Sequence, residues 1–157
     1  MKFVGPLITV DNIARSRDFY ERVLNQKVIA DFGENVTFEG NFSIHLRSHF
    51  QNLINNVDIK PRCNSFELYF ENDKVEQLID ELNAYGVTYV HELKEQPWRQ
   101  MVVRFYDPDG NMIEVGESLE HLSYRLHLEG MPMDKIASTT YMPEAAILEA
   151  IKRYSNS

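Results

Sequence analysis

The feature that most constrains this chain is a repeat. One order of elements, strand, helix, strand, strand, strand, is written twice at a displacement of about sixty residues. In the first copy, Phe3 to Val10 is apolar and β-prone, Asp11-Asn12 offers a helix cap, and Ile13, Ser16, Phe19, Tyr20, Val23 and Leu24 recur at helical spacing. Three short strands follow, Lys27 to Phe32, Asn35 to Phe38 and Phe42 to Ser48, parted by Gly33 and by Gly40-Asn41. The second copy opens with a strand over Asn64 to Glu71. Asp73 and Glu76 then form a capping box, Val75, Leu78, Ile79 and Leu82 make an apolar stripe, and Gly86 ends the helix as a left-handed cap. Val87 to His91, Met101 to Tyr106 and Met112 to Glu117 complete the order, the last two joined by the turn Asp107-Pro108-Asp109-Gly110-Asn111. The register sets Gly5 against Ser65, Val10 against Phe70, and Ile44-His45-Leu46 against Ile113-Glu114-Val115. His45 and Glu114 therefore hold equivalent places in two related halves.

Two such copies imply an α+β fold. One domain spans 1–117, in repeats of about 1–60 and 61–117, and a helical extension occupies 118–157. In the extension, Leu119, Leu122 and Leu126 mark a helix ending at Gly130, Asp134 to Ser138 form a short one, and Pro143 opens a third ahead of Ile147, Ala150 and Ile151. The last two have the cadence of a helix-turn-helix. A packing or dimer-capping hairpin explains them better, because the cations Lys152 and Arg153 lie at the C-terminal end, whereas recognition helices read bases near their N-terminus.

Composition removes several classes of function. A length of 157 residues with 43% hydrophobic and 25% charged residues suits one globular domain. The apolar runs are too short to span a bilayer, and the first residues lack the apolar core of a signal peptide, so a cytoplasmic protein without a membrane partner is expected. Cys63, the single cysteine, excludes an intrachain disulfide and a cysteine-based zinc cluster. A formal charge of −8 repels phosphate backbones, so no nucleic-acid partner is expected.

The segment Arg104-Phe105-Tyr106-Asp107-Pro108-Asp109-Gly110-Asn111-Met112-Ile113-Glu114-Val115 resembles the closing hairpin of vicinal-oxygen-chelate proteins, the superfamily of glyoxalases, bleomycin-resistance proteins and extradiol dioxygenases. Ile8-Thr9-Val10-Asp11-Asn12 with Ser16-Arg17-Asp18-Phe19-Tyr20 resembles their opening strand and helix. The likeness runs from about Phe3 to Glu117. It implies that 1–117 is a domain whose two βαβββ modules form a cup-shaped mixed sheet around a small-molecule ligand, and that the protein pairs as a homodimer. Superfamily members include lyases, epimerases, dioxygenases, thiol transferases and plain drug-binding proteins, so fold alone does not choose among them. In metal-using members one ligand comes from each of four strands, and the resemblance carries those positions to Gly5, His45, Ser65 and Glu114. Two of the four supply no useful donor, so a divalent metal on His45 and Glu114 is not favoured as a cofactor. The expected function is small-molecule binding of the bleomycin-resistance kind, with lyase or isomerase activity unassigned. The alternative is a metal-dependent glyoxalase-like lyase using His45 and Glu114, with Glu114 as the catalytic carboxylate.

Strand alternation nominates the remaining site residues. If His45 and Glu114 face inward, so do Ser43 and Arg47, Met112, and Cys63, Ser65, Glu67 and Tyr69; Phe105 in the core leaves Arg104 and Tyr106 inside. Glu95 to Gln100 resembles the loop over the cup in relatives, where a glycine commonly follows the tryptophan; here that residue is Arg99. The ligand-binding set is thus His45, Arg47, Ser65, Glu67, Tyr69, Trp98, Arg104 and Tyr106. Second readings stand beside these: His45 as a hydrogen-bonded half-buried histidine, Glu114 with Arg104 as a cross-strand ion pair, Trp98 as a plug, and Cys63 as a small buried hydrophobe. His49 and His91 read as surface or loop residues, and His121 and His127 as decoration on the appended helix.

Overall fold

The computed structural model describes residues 1–156. Eight strands and six helices follow in order: β1 Leu7–Val10, α1 Ile13–Arg22, β2 Val28–Asp31, β3 Asn35–Phe38, β4 Ser43–Leu46, α2 Arg47–Leu53, β5 Glu67–Glu71, α3 Val75–Tyr85, β6 Thr88–Glu95, β7 Met101–Tyr106, β8 Met112–Gly116, α4 Leu119–Leu128, α5 Met133–Thr140 and α6 Glu144–Ser155. The strands form two four-stranded sheets, in the orders β1-β4-β3-β2 and β5-β8-β7-β6. Each βαβββ module thus builds one sheet with the same internal order. Among the described residues, no helix is long and apolar enough to cross a membrane.

Ladder partners decide where the strands stop. β1 runs parallel to β4 from Leu7↔Ser43 to Val10↔Leu46, and β3 meets β4 antiparallel from Thr37↔Ser43 to Asn35↔His45. Past Leu46 both neighbours have left the sheet, so the strand expected to reach Ser48 ends early and Arg47 becomes the first residue of α2. Phe3 and Val4 likewise precede the ladder and stand 83% and 77% exposed, although their composition is strand-like. The second copy shows the same trimming, with β5 beginning at Glu67 rather than Asn64.

Helix ends follow local chemistry. The Asn12 side chain accepts from Arg15 N at 3.0 Å and starts α1. Gly86 at φ +79° and Gly130 at φ +81° lie in the left-handed region just past α3 and α4. The Asp73 carboxylate, expected to form a capping box with Glu76, accepts from Ser118 N at 3.0 Å and from the Tyr154 hydroxyl.

The chain condenses into two compact units, one of Met1–Glu67, Asp80–Thr88 and Phe105–Ile113, the other of Leu68–Ile79, Tyr89–Arg104 and the chain from Glu114 on. The first has an aromatic core in which Phe19 meets Tyr20, Tyr85 and Phe105 edge-on, while Phe38 stacks on Phe42 with centroids 4.8 Å apart. Its polar key is the Asp107–Asn111 turn. Asp109 accepts from Asp11 N at 2.7 Å, Arg15 at 2.6 Å and Ser16 Oγ at 2.6 Å, while Asp107 accepts from the Tyr20 hydroxyl at 2.9 Å. The motif that carries the family likeness therefore ties helix α1 to the β7–β8 turn. In the second unit Leu122, Leu126, Ile136 and Ile147 give helices α4 to α6 a core of their own.

Candidate functional site

In the first unit, His45 sits on β4 at 8% exposure. Asn35 Nδ2 lies 3.1 Å from its Nδ1, and His49 Nδ1 lies 2.9 Å from its Nε2. An amide nitrogen only donates, so His45 Nδ1 accepts, and Nε2 carries the proton given to His49. The two rings stack at 5.1 Å, and Phe50 closes edge-on at 5.6 Å. Burial, then the neighbouring His49, pull the His45 pKa down, with Glu34 opposing. His49, expected on the surface, is a partner because α2 turns the chain back over β4.

Other nominated residues of this unit have different surroundings. Arg47 opens α2 rather than continuing the face of β4, and its guanidinium pairs with Asp11 at 3.0 Å. Ser65 precedes β5, is exposed, and donates to Cys63 Sγ at 3.5 Å; Cys63, expected to be buried, is exposed as well. Glu67 is half-buried at the start of β5. Tyr106 donates to Asn64 Oδ1 at 2.8 Å, carries the Arg62 guanidinium over its ring at 4.8 Å, and lines a cavity of about 310 Å³.

In the second unit the nominated pair Arg104 and Glu114 meets in an ion pair, their side chains 20% and 9% exposed. Arg104 Nη1 also stands 3.2 Å from His91 Nε2, and His91 Nδ1 stands 2.8 Å from Glu92 O. Because the carbonyl only accepts, His91 Nδ1 donates to it and Nε2 accepts a hydrogen bond from the guanidinium. The result is a row of carboxylate, guanidinium and imidazole across β8, β7 and β6. His91 had been read as a surface residue. The alternation of Tyr89, His91 and Leu93 as the half-buried face of β6 is the signal that places it. Tyr69 lies 3.4 Å from Gln100 Nε2, and its hydroxyl donates to Glu71 at 3.2 Å; burial raises its pKa. Trp98 is 44% exposed, and its indole N–H donates to Gln100 Oε1 at 2.7 Å.

The four positions that bear metal ligands in metal-using relatives do not fit a metal here. A Cβ on Gly5 would stand 1.7 Å from the Asn41 carbonyl oxygen, so no ligating side chain fits without moving the backbone. Ser65 faces solvent, both ring nitrogens of His45 are engaged, and Glu114 is paired with Arg104. Among the described residues, no group of three or more His, Cys, Asp or Glu side chains is placed to hold a metal ion.

Comparison with known proteins agrees with this architecture. A family model described as a glyoxalase-like domain matches residues 3–120. A protein of unknown function from Agrobacterium tumefaciens str. C58 is 40% identical over 75% of this chain and 94% of its own, with a TM-score of 0.68. A glyoxalase-related enzyme from Fulvimarina pelagi is 19% identical over 75% and 89%, with a TM-score of 0.63. Lactoylglutathione lyase from Agrobacterium tumefaciens is 19% identical over 75% and 95%, with a TM-score of 0.57. The two latter likenesses concern the fold alone. A search of curated proteins finds no match. The doubled βαβββ order, the Asp107–Asn111 turn bonded to α1, and the match over 3–120 lead to one assignment: the chain belongs to the glyoxalase-like domain family of the vicinal-oxygen-chelate superfamily.

Proposed function

We propose that this protein binds a small molecule on the polar face of β6, β7 and β8, in the manner of the bleomycin-resistance branch of its superfamily. The observation that carries the reading is Arg104, a mostly shielded guanidinium set between the Glu114 carboxylate and the His91 imidazole. A guanidinium presents five donors in a fixed fork, suited to a carboxylate or carbonyl, while Glu114 accepts from a donor on the same ligand. Glu114 is also the residue that would accept a proton if the site is catalytic. Tyr69 and Trp98 belong to the same unit and complete the binding set proposed there.

We infer further that the protein acts as a homodimer in a reducing compartment. Edge strand β2 carries the exposed Ile29, 60% accessible, and an exposed single cysteine suits reducing conditions. Light scattering at micromolar concentration is expected to give twice the chain mass, and a monomer contradicts the pairing. The binding proposal is tested by thermal denaturation against a panel of small organic acids, amides and ketones, with elemental analysis of the same sample. The expected result is a ligand-dependent rise in melting temperature without stoichiometric metal. If no compound stabilises the fold until a divalent metal is added at one per chain, the metal-dependent lyase replaces this reading.

A further inference from the structure

Glu117, between β8 and α4, is 2% exposed and surrounded by donors: Met101 N at 2.9 Å, Arg125 at 2.7 Å and His121 Nδ1 at 2.8 Å. The carboxylate only accepts, so His121 donates to it through Nδ1–H, and Nε2 is left free of this contact. His121 lines an open cavity of about 760 Å³ together with Lys74, Glu71, Asp73, Arg153 and Tyr154, and none of Arg104, Glu114 or His91 lines it. The imidazole is held a second time by the Tyr154 ring, edge-on at 5.4 Å, and Tyr154 in turn stacks on Tyr124 at 5.6 Å. Tyr154 belongs to α6, beyond the family match at 3–120.

Most charges of this cavity are already matched. Asp73 accepts from Ser118 N and the Tyr154 hydroxyl, and Arg153 pairs with Glu120. Among the described residues, the His121 Nε2 lone pair and the Lys74 ammonium have no hydrogen-bond or ion-pair partner. We propose that this cavity is a second ligand site, which takes a small hydroxylated anion: the hydroxyl donates to His121 Nε2, and the carboxylate or phosphate pairs with Lys74. Glu71 at the rim offers a second hydroxyl an acceptor. A carboxylate-oriented imidazole with a free Nε2 is the arrangement of a general base, so the same atom can accept and return the hydroxyl proton.

The test is nitrogen-15 NMR of the imidazoles in the full chain. In the free protein at about pH 8, above the ordinary imidazole range, His121 is expected to show a proton on Nδ1 and none on Nε2. Glycolate and glycerol 3-phosphate serve as the carboxylate and phosphate probes, with acetate as the control lacking a hydroxyl. At least one probe is expected to shift the His121 ring signals saturably, at least tenfold more tightly than acetate, and Lys74→Met to weaken it at least tenfold. An Nε2 proton in the free protein, no saturable shift with either probe, or acetate binding as tightly as glycolate would overturn the proposal.

Discussion

Asp109 shows how much of the structure rests on single side chains. Its side chain is fully shielded and meets two side-chain donors and one backbone N–H, all from the start of α1 and the residue before its cap. Asp109→Ala leaves the buried Ser16 hydroxyl and the Asp11 N–H without their partner. It is expected to cost about 3 kcal/mol, the range for losing a buried charged acceptor, measured as a lowered urea midpoint with an unchanged slope. A loss below about 1 kcal/mol would show that water replaces the carboxylate at little cost. His45 offers a second test at this scale. Its pKa is lowered in the folded chain by burial and by His49, so the unfolded chain binds the proton first as pH falls. The stability it contributes is therefore present above about pH 6.5 and is lost as pH drops from there toward its folded value. His45→Gln is expected to flatten the stability profile between about pH 7 and 5, a window above the acid range in which most carboxylates titrate. An unchanged slope would contradict the assignment. The Asp-Pro-Asp-Gly turn was legible as a turn, but its partners on α1 lie 87 or more positions away, as the spacing of Tyr20 from Asp107 shows, and no periodicity reports that.

At the scale of elements, the turn between β6 and β7 is clamped by the helical extension. Arg99, where relatives commonly carry glycine, has φ 77°, a left-handed conformation that a side chain adopts at a cost of about 1 kcal/mol. Ion pairs to Glu95 at 2.9 Å and Glu129 at 2.8 Å hold it, and Arg125 of α4 reaches the Arg99 carbonyl at 2.5 Å while pairing with Glu117 and Glu129. Trp98 is the chain's single tryptophan, so its fluorescence reports on this turn alone. Arg125→Ala is expected to make Trp98 more accessible to acrylamide and to cost about 2 kcal/mol, between an exposed and a buried ion pair. Unchanged quenching would mean that the turn holds without its clamp. Helix α2 marks where element reading fell short. Phe42 to Ser48 alternates like a strand, but the ladder on either side ends at Val10 and Asn35, and pairing rather than propensity decided the boundary.

For the whole molecule, the doubled βαβββ order was readable because each module repeats both its element sequence and its turn residues, and the two sheets have equivalent strand orders. The site was readable only in part. Alternation along β7 gave Phe105 to the core, where it is fully buried, and set apart Arg104, which pairs with Glu114 of β8. His49, His91 and His121 were passed over because their partners come from a helix turn, a neighbouring strand and a buried carboxylate, which no local pattern announces. The central claim is that a small molecule is held by Arg104 and Glu114. It is tested most directly by calorimetric titration of a screened ligand into the wild type, Arg104→Ala and Glu114→Gln, each first shown to unfold cooperatively. The expected result is at least a tenfold loss of affinity in each variant, about 1.4 kcal/mol or more. If both variants bind as tightly as the wild type, the ligand sits elsewhere and the claim is wrong.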